Sequence, residues 1–227
     1  MRYNILIFDA DDTLFDFKAS EKEALEKTLV DYRVEYDENY HLKIYKEINS
    51  KIWKELEDGF ITQKELKVER FRRYCNQLNL DFDANDFANR YMENLSNSSI
   101  LFEDSLDLIK ELYGKYELFI ITNGLSKVQN GRIKNSIISK YFNDIIVSEE
   151  VGVSKPNPDI FKITLEKNKI KDSDNILMIG DSLTSDIKGG INFGIDTCLY
   201  NPKGIQITEE IKPTYEISAL KELLKLL

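Results

Sequence analysis

At 227 residues and 42% hydrophobic composition, the chain is long enough for one substantial core, or for one core with a smaller appended unit. Its 31 Lys and Arg stand against 40 Asp and Glu, and a formal charge of −9 argues against a nucleic-acid groove or an anionic membrane surface and favours small diffusing ligands. No apolar stretch approaches a membrane span, and Met1-Arg2-Tyr3 runs into a strand without a signal-peptide pattern, so a soluble, cytoplasmic protein is expected.

The first element is a strand, Tyr3-Asn4-Ile5-Leu6-Ile7-Phe8, which ends in Asp9-Ala10-Asp11-Asp12-Thr13-Leu14. Carboxylates at a strand end are delivered to the mouth of a sheet, where open α/β folds bind ligands. In extended chain Asp9 and Asp11 share a side and can approach one small volume, which calls for a cation or a proton between them.

From about Lys18 to about Asn97 the spacing turns helical. Ala24, Leu25, Leu29 and Val30 form one apolar stripe, and Ile44, Ile48, Ile52 and Leu56 form the next. Asp58-Gly59 breaks the second helix, Thr62-Gln63-Lys64-Glu65 is a capping box that opens a third, and Asp83 is placed to cap a fourth. Ser96-Asn97-Ser98-Ser99 reads as a polar hinge. His41, the only histidine, reads as an ordinary surface or cap residue, and Cys75 and Cys198 form no CxxC pair, so histidine-based catalysis and a disulfide framework are not expected.

Beyond the hinge, strands are predicted at 118–122, 145–148, 176–180 and 195–199. Helices are predicted at 104–113, 126–138, 158–168, 184–193 and from Ala219 to the end. This alternation predicts a Rossmann-like, doubly wound parallel sheet with helices on both faces. The core is 1–15 with 98–227, and 16–97 is an inserted α-helical domain.

Four predicted strand ends carry complementary polar residues. Besides Asp9 and Asp11, Thr122-Asn123-Gly124 offers a hydroxyl, an amide and a flexible glycine to phosphate oxygens. Lys155-Pro156-Asn157-Pro158 sets an ammonium beside a helix start, with Asn157 as cap and Pro158 as first helical residue. Gly180-Asp181-Ser182-Leu183-Thr184-Ser185-Asp186 adds two further carboxylates. Four independent turns seldom supply so matched a set of acid, hydroxyl, base and acid.

These four segments resemble motifs I to IV of the haloacid dehalogenase-like hydrolases, with a helical cap inserted after motif I, and the resemblance spans the chain. The strings from Phe8 to Phe15, from Ser148 to Pro156 and from Gly180 to Gly190 look like the branch of bacterial pyrimidine 5'-nucleotidases. Most of the superfamily has Gly where this chain has Asp12, and an acid there is in keeping with that branch.

The resemblance implies a Mg²⁺-dependent phosphomonoester hydrolase acting on a small phosphate ester, a nucleoside monophosphate in the first instance. Asp9 would be the nucleophile that becomes an aspartyl-phosphate, and Asp11 the proton carrier and a metal ligand through its carbonyl. Asp9, Asp11 and Asp181 would hold the metal, with Asp186 in support through water or through Lys155. Thr122, the Asn123 backbone and Lys155 would hold the phosphoryl oxygens. The cap would close over the site and read the leaving group, with Phe17, Trp53, Phe60 and Arg70 as candidate contacts or as ordinary packing residues. A dehalogenase has no use for Asp11. A phosphonatase, a sugar-phosphate phosphatase, a phosphomutase and a non-catalytic phosphate- or protein-binding module remain as alternatives.

Overall fold

Strand β1 (Ile5–Phe8) shows why the sheet is covered on both faces. Leu6 and Phe8 join a core with Leu118, Ile120, Leu177, Ile179 and Leu108, whereas Ile5 and Ile7 join another with Phe119, Ile121, Met178, Ile160 and Phe161. Alternate residues of one strand therefore enter two separate cores, the signature of a strand buried on both sides. The computed structural model describes residues 2–170, 175–207 and 209–227.

The sheet has six strands, all parallel: β1, β2 (Glu117–Thr122), β3 (Asp144–Val147), β4 (Ile176–Gly180), β5 (Asp196–Tyr200) and β6 (Tyr215–Ile217). Their order is β3-β2-β1-β4-β5-β6, so the winding reverses beside β1, and the crevice at that reversal is where doubly wound sheets bind ligands. Helix α5 (Ser105–Leu112) supplies Leu108 and Ile109 to one core, and α8 (Asp159–Lys167) supplies Ile160 and Phe161 to the other.

The chain divides into two compact units, Met1–Lys18 with Ser99–Leu227, and Ala19–Ser98. The second is built from most of α1 (Phe17–Asp31), with α2 (Lys43–Glu57), α3 (Gln63–Gln77) and α4 (Ala84–Ser96). Thr62 and Glu65 form the expected capping box, and Asp83 accepts the backbone N–H groups of Asn85 and Asp86. Its centre is an aromatic cluster: Tyr45, Phe71, Tyr74, Phe87 and Tyr91 are all fully buried. The Tyr45 hydroxyl donates to Glu21 at 2.8 Å and lies 2.9 Å from the Tyr91 hydroxyl, and Arg70 donates to Tyr45 at 3.3 Å and to Asn49 at 2.9 Å. Val30 departs from its predicted stripe and is 58% exposed. His41 is buried, and its Nδ1 accepts the Asp37 backbone N–H at 2.9 Å.

Several boundaries differ from the sequence reading. The helix predicted at 126–138 is α6, Ser126–Lys134, because the Ser136 hydroxyl accepts the Ile138 N–H and competes with continued winding. The segment 184–193 opens as a π-helical turn, Leu183–Ile187, before α9 (Lys188–Phe193). The C-terminal helix is a 3-10 turn over Leu220–Lys225. Strand β6 was unanticipated, since three residues offer too little alternation to read.

Candidate active site

The carboxyl end of β1 lies between those of β2 and β4, so Asp9 and Asp181, which follow β1 and β4, and Thr122, which ends β2, stand at neighbouring strand ends. The Asp9 backbone N–H still donates to Ile179 O at 2.8 Å, which anchors it to β4. Lys155 reaches the same place from the loop before α8, and its ammonium is almost wholly buried. It donates to Asp9 at 2.6 Å and to Ile121 O at 2.6 Å, and pairs with Asp186 at 2.7 Å. Three donors meet three acceptors, so the ammonium is fully satisfied.

Two structural devices hold Lys155 there. The Asn123 side chain accepts the Lys155 N–H at 2.9 Å and donates to the Lys155 carbonyl at 2.8 Å, which joins the end of β2 to the lysine loop. That amide is thus committed to the loop, and only the Asn123 backbone is left for a ligand. Helix α8 starts one residue later than the sequence reading, with Pro158 (φ −64°, ψ −21°) at the cap position, while the Asn157 side chain still accepts the Asp159 N–H at 2.9 Å.

Asp186 enters through the π-helical turn after β4. One oxygen pairs with Lys155 and the other accepts the Ser182 N–H at 3.0 Å, so it acts directly on the lysine. Gly180 makes room for it, since a Cβ there would stand 2.3 Å from Asp186 Oδ2. Asp9, Asp181 and Asp186 each bring a carboxylate oxygen within 4.8 Å of the others.

Asp11 goes elsewhere. Past Phe8 the chain leaves extended geometry: Leu14 N–H donates back to Ala10 O, and Asp12 has φ +58°. Asp11 is not one of the three carboxylates that converge, although it remains near enough to Asp9 to act on it through space. The Asp11 carboxylate is turned to α6, where it accepts from Gln129 and pairs with Arg132, each at 2.6 Å. Gln129 also donates to the Thr122 hydroxyl at 2.8 Å. The left-handed backbone explains why glycine would suit position 12, and Asp is among the residues that tolerate that conformation. Asp12 in turn pairs with Lys18 at 3.0 Å.

Burial, reinforced by Asp186 and Asp11, holds the Asp9 carboxyl above the ordinary carboxylate range even against Lys155. Burial first, then Asp186 and Asp12, pushes Asp181 up to about 6. Burial opposes the Lys155 ammonium, but Asp186 and Asp9 outweigh it and hold its pKa above the usual lysine value. The group carries three carboxylates against one ammonium, a surplus of negative charge.

The family profile described as haloacid dehalogenase-like hydrolase matches residues 6–200. The chain belongs to this family. The HAD hydrolase is 37% identical over 226 residues to the HAD-hydrolase YfnB of Bacillus subtilis, covering 100% of this chain and 96% of that protein. It is 35% identical to the pyrimidine 5'-nucleotidase PynA of Streptococcus pneumoniae (99% and 94% covered) and 33% identical to the pyrimidine 5'-nucleotidase YjjG of Escherichia coli (100% and 99%). A crystal structure of YfnB bound to magnesium, described as revealing interdomain movement, superposes with a TM-score of 0.90 at 36% identity over 100% of this chain and 99% of that one.

The donor set of this HAD hydrolase fits a hard divalent cation. The candidate ligand atoms that converge beside Lys155 are carboxylate oxygens, the ligand type that Mg²⁺ takes, and their surplus charge is what such an ion would offset. Both oxygens of Asp186 are already committed, so Asp9 and Asp181 are the carboxylates with capacity to spare. Among the sequence candidates, Phe17 lies under the Arg132 guanidinium at 5.0 Å, and Arg70 is buried in the helical unit. Trp53 and Phe60 are 44% and 77% exposed. Sequence reading missed Gln129 and Arg132, whose only signal is their i, i+3 spacing on one face of α6. Both thiols are buried, and burial pushes Cys75 up to about 11 and Cys198 up to about 12. No helix among the described residues is long and apolar enough to cross a membrane.

Proposed function

We propose that this HAD hydrolase is a 5'-nucleotidase that hydrolyses nucleoside monophosphates, with pyrimidine nucleotides first among them, through a phosphorylated Asp9. The observation that carries this reading is the separation of the two acids of the first motif. Asp9 is held by Lys155 in a buried, cation-seeking cluster, and Asp11 is held apart by Gln129 and Arg132. A nucleophile and a proton carrier need such different environments. Full-length similarity to two pyrimidine 5'-nucleotidases supports the substrate class.

In the first step an Asp9 oxygen bonds to phosphorus as the ester P–O bond breaks, and the leaving oxygen takes a proton from Asp11. In the second, a water oxygen bonds to phosphorus, its proton passes to Asp11, and the Asp9–phosphorus bond breaks. Thr122 and the Asn123 N–H donate to the phosphoryl oxygens, where charge spreads at the transition state, and Lys155 joins them by exchanging one of its present acceptors, the Asp9 oxygen, for a phosphoryl oxygen as Asp9 bonds to phosphorus. Lys155 is bonded to both Asp9 and Asp186, which fixes it as the nucleophile's neighbour. Mg²⁺ on Asp9, Asp181 and the Asp11 carbonyl would supply charge neutralisation of phosphate and carboxylates. The helical unit is the candidate reader of the leaving group.

Phosphate release measured with and without Mg²⁺ across UMP, dUMP, dTMP, CMP, purine nucleotides and sugar phosphates tests this reading. It expects Mg²⁺-dependent turnover with kcat/KM highest on pyrimidine nucleotides. Equal or higher values on sugar phosphates would overturn it.

A further inference from the structure

Two side chains of α6 have no part in the scheme above, yet both are buried at its centre. Gln129 is 1% exposed and Arg132 is fully buried. Arg132 Nη1 donates to Asp11 Oδ1 at 2.6 Å and to Gln129 Oε1 at 3.0 Å, while Gln129 Nε2 donates to Asp11 Oδ2 at 2.6 Å and to Thr122 Oγ1 at 2.8 Å. Each Asp11 oxygen therefore meets a donor, and the two donors are bonded to one another. A carboxylate gripped at both ends by cross-linked partners loses its freedom to rotate, which is the condition for directed proton transfer.

The surroundings hold the pair itself in place. The Arg132 guanidinium lies 5.7 Å from the Phe15 ring and 5.0 Å from the Phe17 ring. Gly124 leaves the passage through which Gln129 reaches Asp11 and Thr122, since a Cβ there would stand 2.3 Å from Gln129 Cγ and Nε2. A fully buried arginine that served only for packing would be better replaced by an apolar side chain, because its desolvation is expensive. The Asp11 side chain keeps 26% of its surface exposed, so the grip leaves an accessible edge.

We propose that Gln129 and Arg132 are positioning residues for proton transfer at Asp11, and that Gln129 ties the orientation of that carboxylate to the phosphate-binding hydroxyl of Thr122. This rests on Asp11 being the proton carrier, and it makes no use of which ester is the physiological substrate. A leaving group of low basicity, such as p-nitrophenolate, departs without a proton, whereas phenolate is more basic and needs one more. Misplacing Asp11 therefore penalises phenyl phosphate more than p-nitrophenyl phosphate, although the two esters are nearly the same size.

The test is kcat/KM on both esters with Mg²⁺ present, for the full chain and for Gln129→Ala, Gly124→Ala, Arg132→Lys and Asp11→Asn, with thermal unfolding to check that each variant is folded. Asp11→Asn is expected to lower phenyl phosphate at least about tenfold more than p-nitrophenyl phosphate. Gln129→Ala and Gly124→Ala are expected to shift the ratio of the two in the same direction, and Arg132→Lys likewise, because the shorter lysine does not carry its nitrogen to the place of Nη1, from which both bonds are made. Loss of the Thr122 contact alone would lower both esters equally. If Asp11→Asn shifts the ratio and the α6 and Gly124 variants lower both esters equally, the positioning role is wrong and the Asp11 role stands. If Asp11→Asn itself leaves the ratio unchanged, the Asp11 role fails and the positioning role fails with it.

Discussion

Asp181→Asn should make the metal-free protein more stable at neutral pH while removing its response to Mg²⁺. The Asp181 carboxyl sits at about 6 in the fold against an ordinary value of 3.8, through burial and the neighbouring Asp186 and Asp12. A carboxyl whose pKa is raised by folding binds its proton more tightly in the native state. Its contribution to stability is therefore present below about pH 4, falls as pH climbs to about 6, and stays lost above that. A difference of about 2.2 units corresponds to about 3 kcal/mol, and partial solvent access to the carboxylate brings this to about 2 kcal/mol. For a chain of this size that is a rise in Tm of about 4–8 °C for the variant over the wild type at pH 7, with little difference at pH 4. Differential scanning calorimetry in chelator, at both pH values and with Mg²⁺ restored at pH 7, measures it. Mg²⁺ should raise the wild-type Tm and leave the variant nearly unmoved. Equal metal-free stabilities at pH 7, or a gap of the same size at pH 4, would refute the reasoning.

Lys155→Met leaves Asp9 and Asp186 buried without their shared ammonium, and should cost about 3–5 kcal/mol of core stability at pH 7, with kcat/KM down about 10²–10³; unchanged denaturant midpoints would contradict it. Gly180→Ala drives a Cβ into Asp186 from a rigid strand, and should lower kcat about 10²-fold and stability by about 1–3 kcal/mol in thermal melts, whereas full activity would mean Asp186 does not steady Lys155. In the helical unit, Tyr45→Phe removes the hydroxyl shared by Glu21, Tyr91 and Arg70, and should cost about 1–3 kcal/mol. Trp53, the chain's single tryptophan, reports that unit's unfolding by fluorescence, and kcat on p-nitrophenyl phosphate should be retained.

What sequence conveys and what it hides divides along physical lines. Ile5-Leu6-Ile7-Phe8 ends in acid, so the strand and the placement of Asp9 are both readable from composition and order. Thr122 and Asp181 are readable for the same reason, each at the end of an apolar run, and Lys155 is readable from the Pro156-Asn157-Pro158 helix start beside it. The direction of the Asp11 side chain is hidden, because it depends on the left-handed Asp12 and on a turn whose hydrogen bonds join residues four and five apart. For Asp186 the family resemblance left two routes open, through water or through Lys155, and the direct one depends on a π-helical turn and the bare Cα of Gly180, which composition and order do not display. Gln129 and Arg132 look like ordinary polar positions of a solvated helix, and only the fold turns that face inward. Arg70, a plausible ligand contact by residue type, is instead claimed by the aromatic centre of the helical unit.

The central claim is that phosphorus passes through Asp9. Rapid acid quench of the Mg²⁺-loaded protein during turnover of p-nitrophenyl phosphate, followed by borohydride reduction and peptide mass mapping, tests it most directly. The account predicts a reduced acyl-phosphate at Asp9 that is missing in Asp9→Asn, a variant with turnover abolished. A modified Asp11 or Asp181 with Asp9 untouched, or sustained turnover by Asp9→Asn, would contradict it.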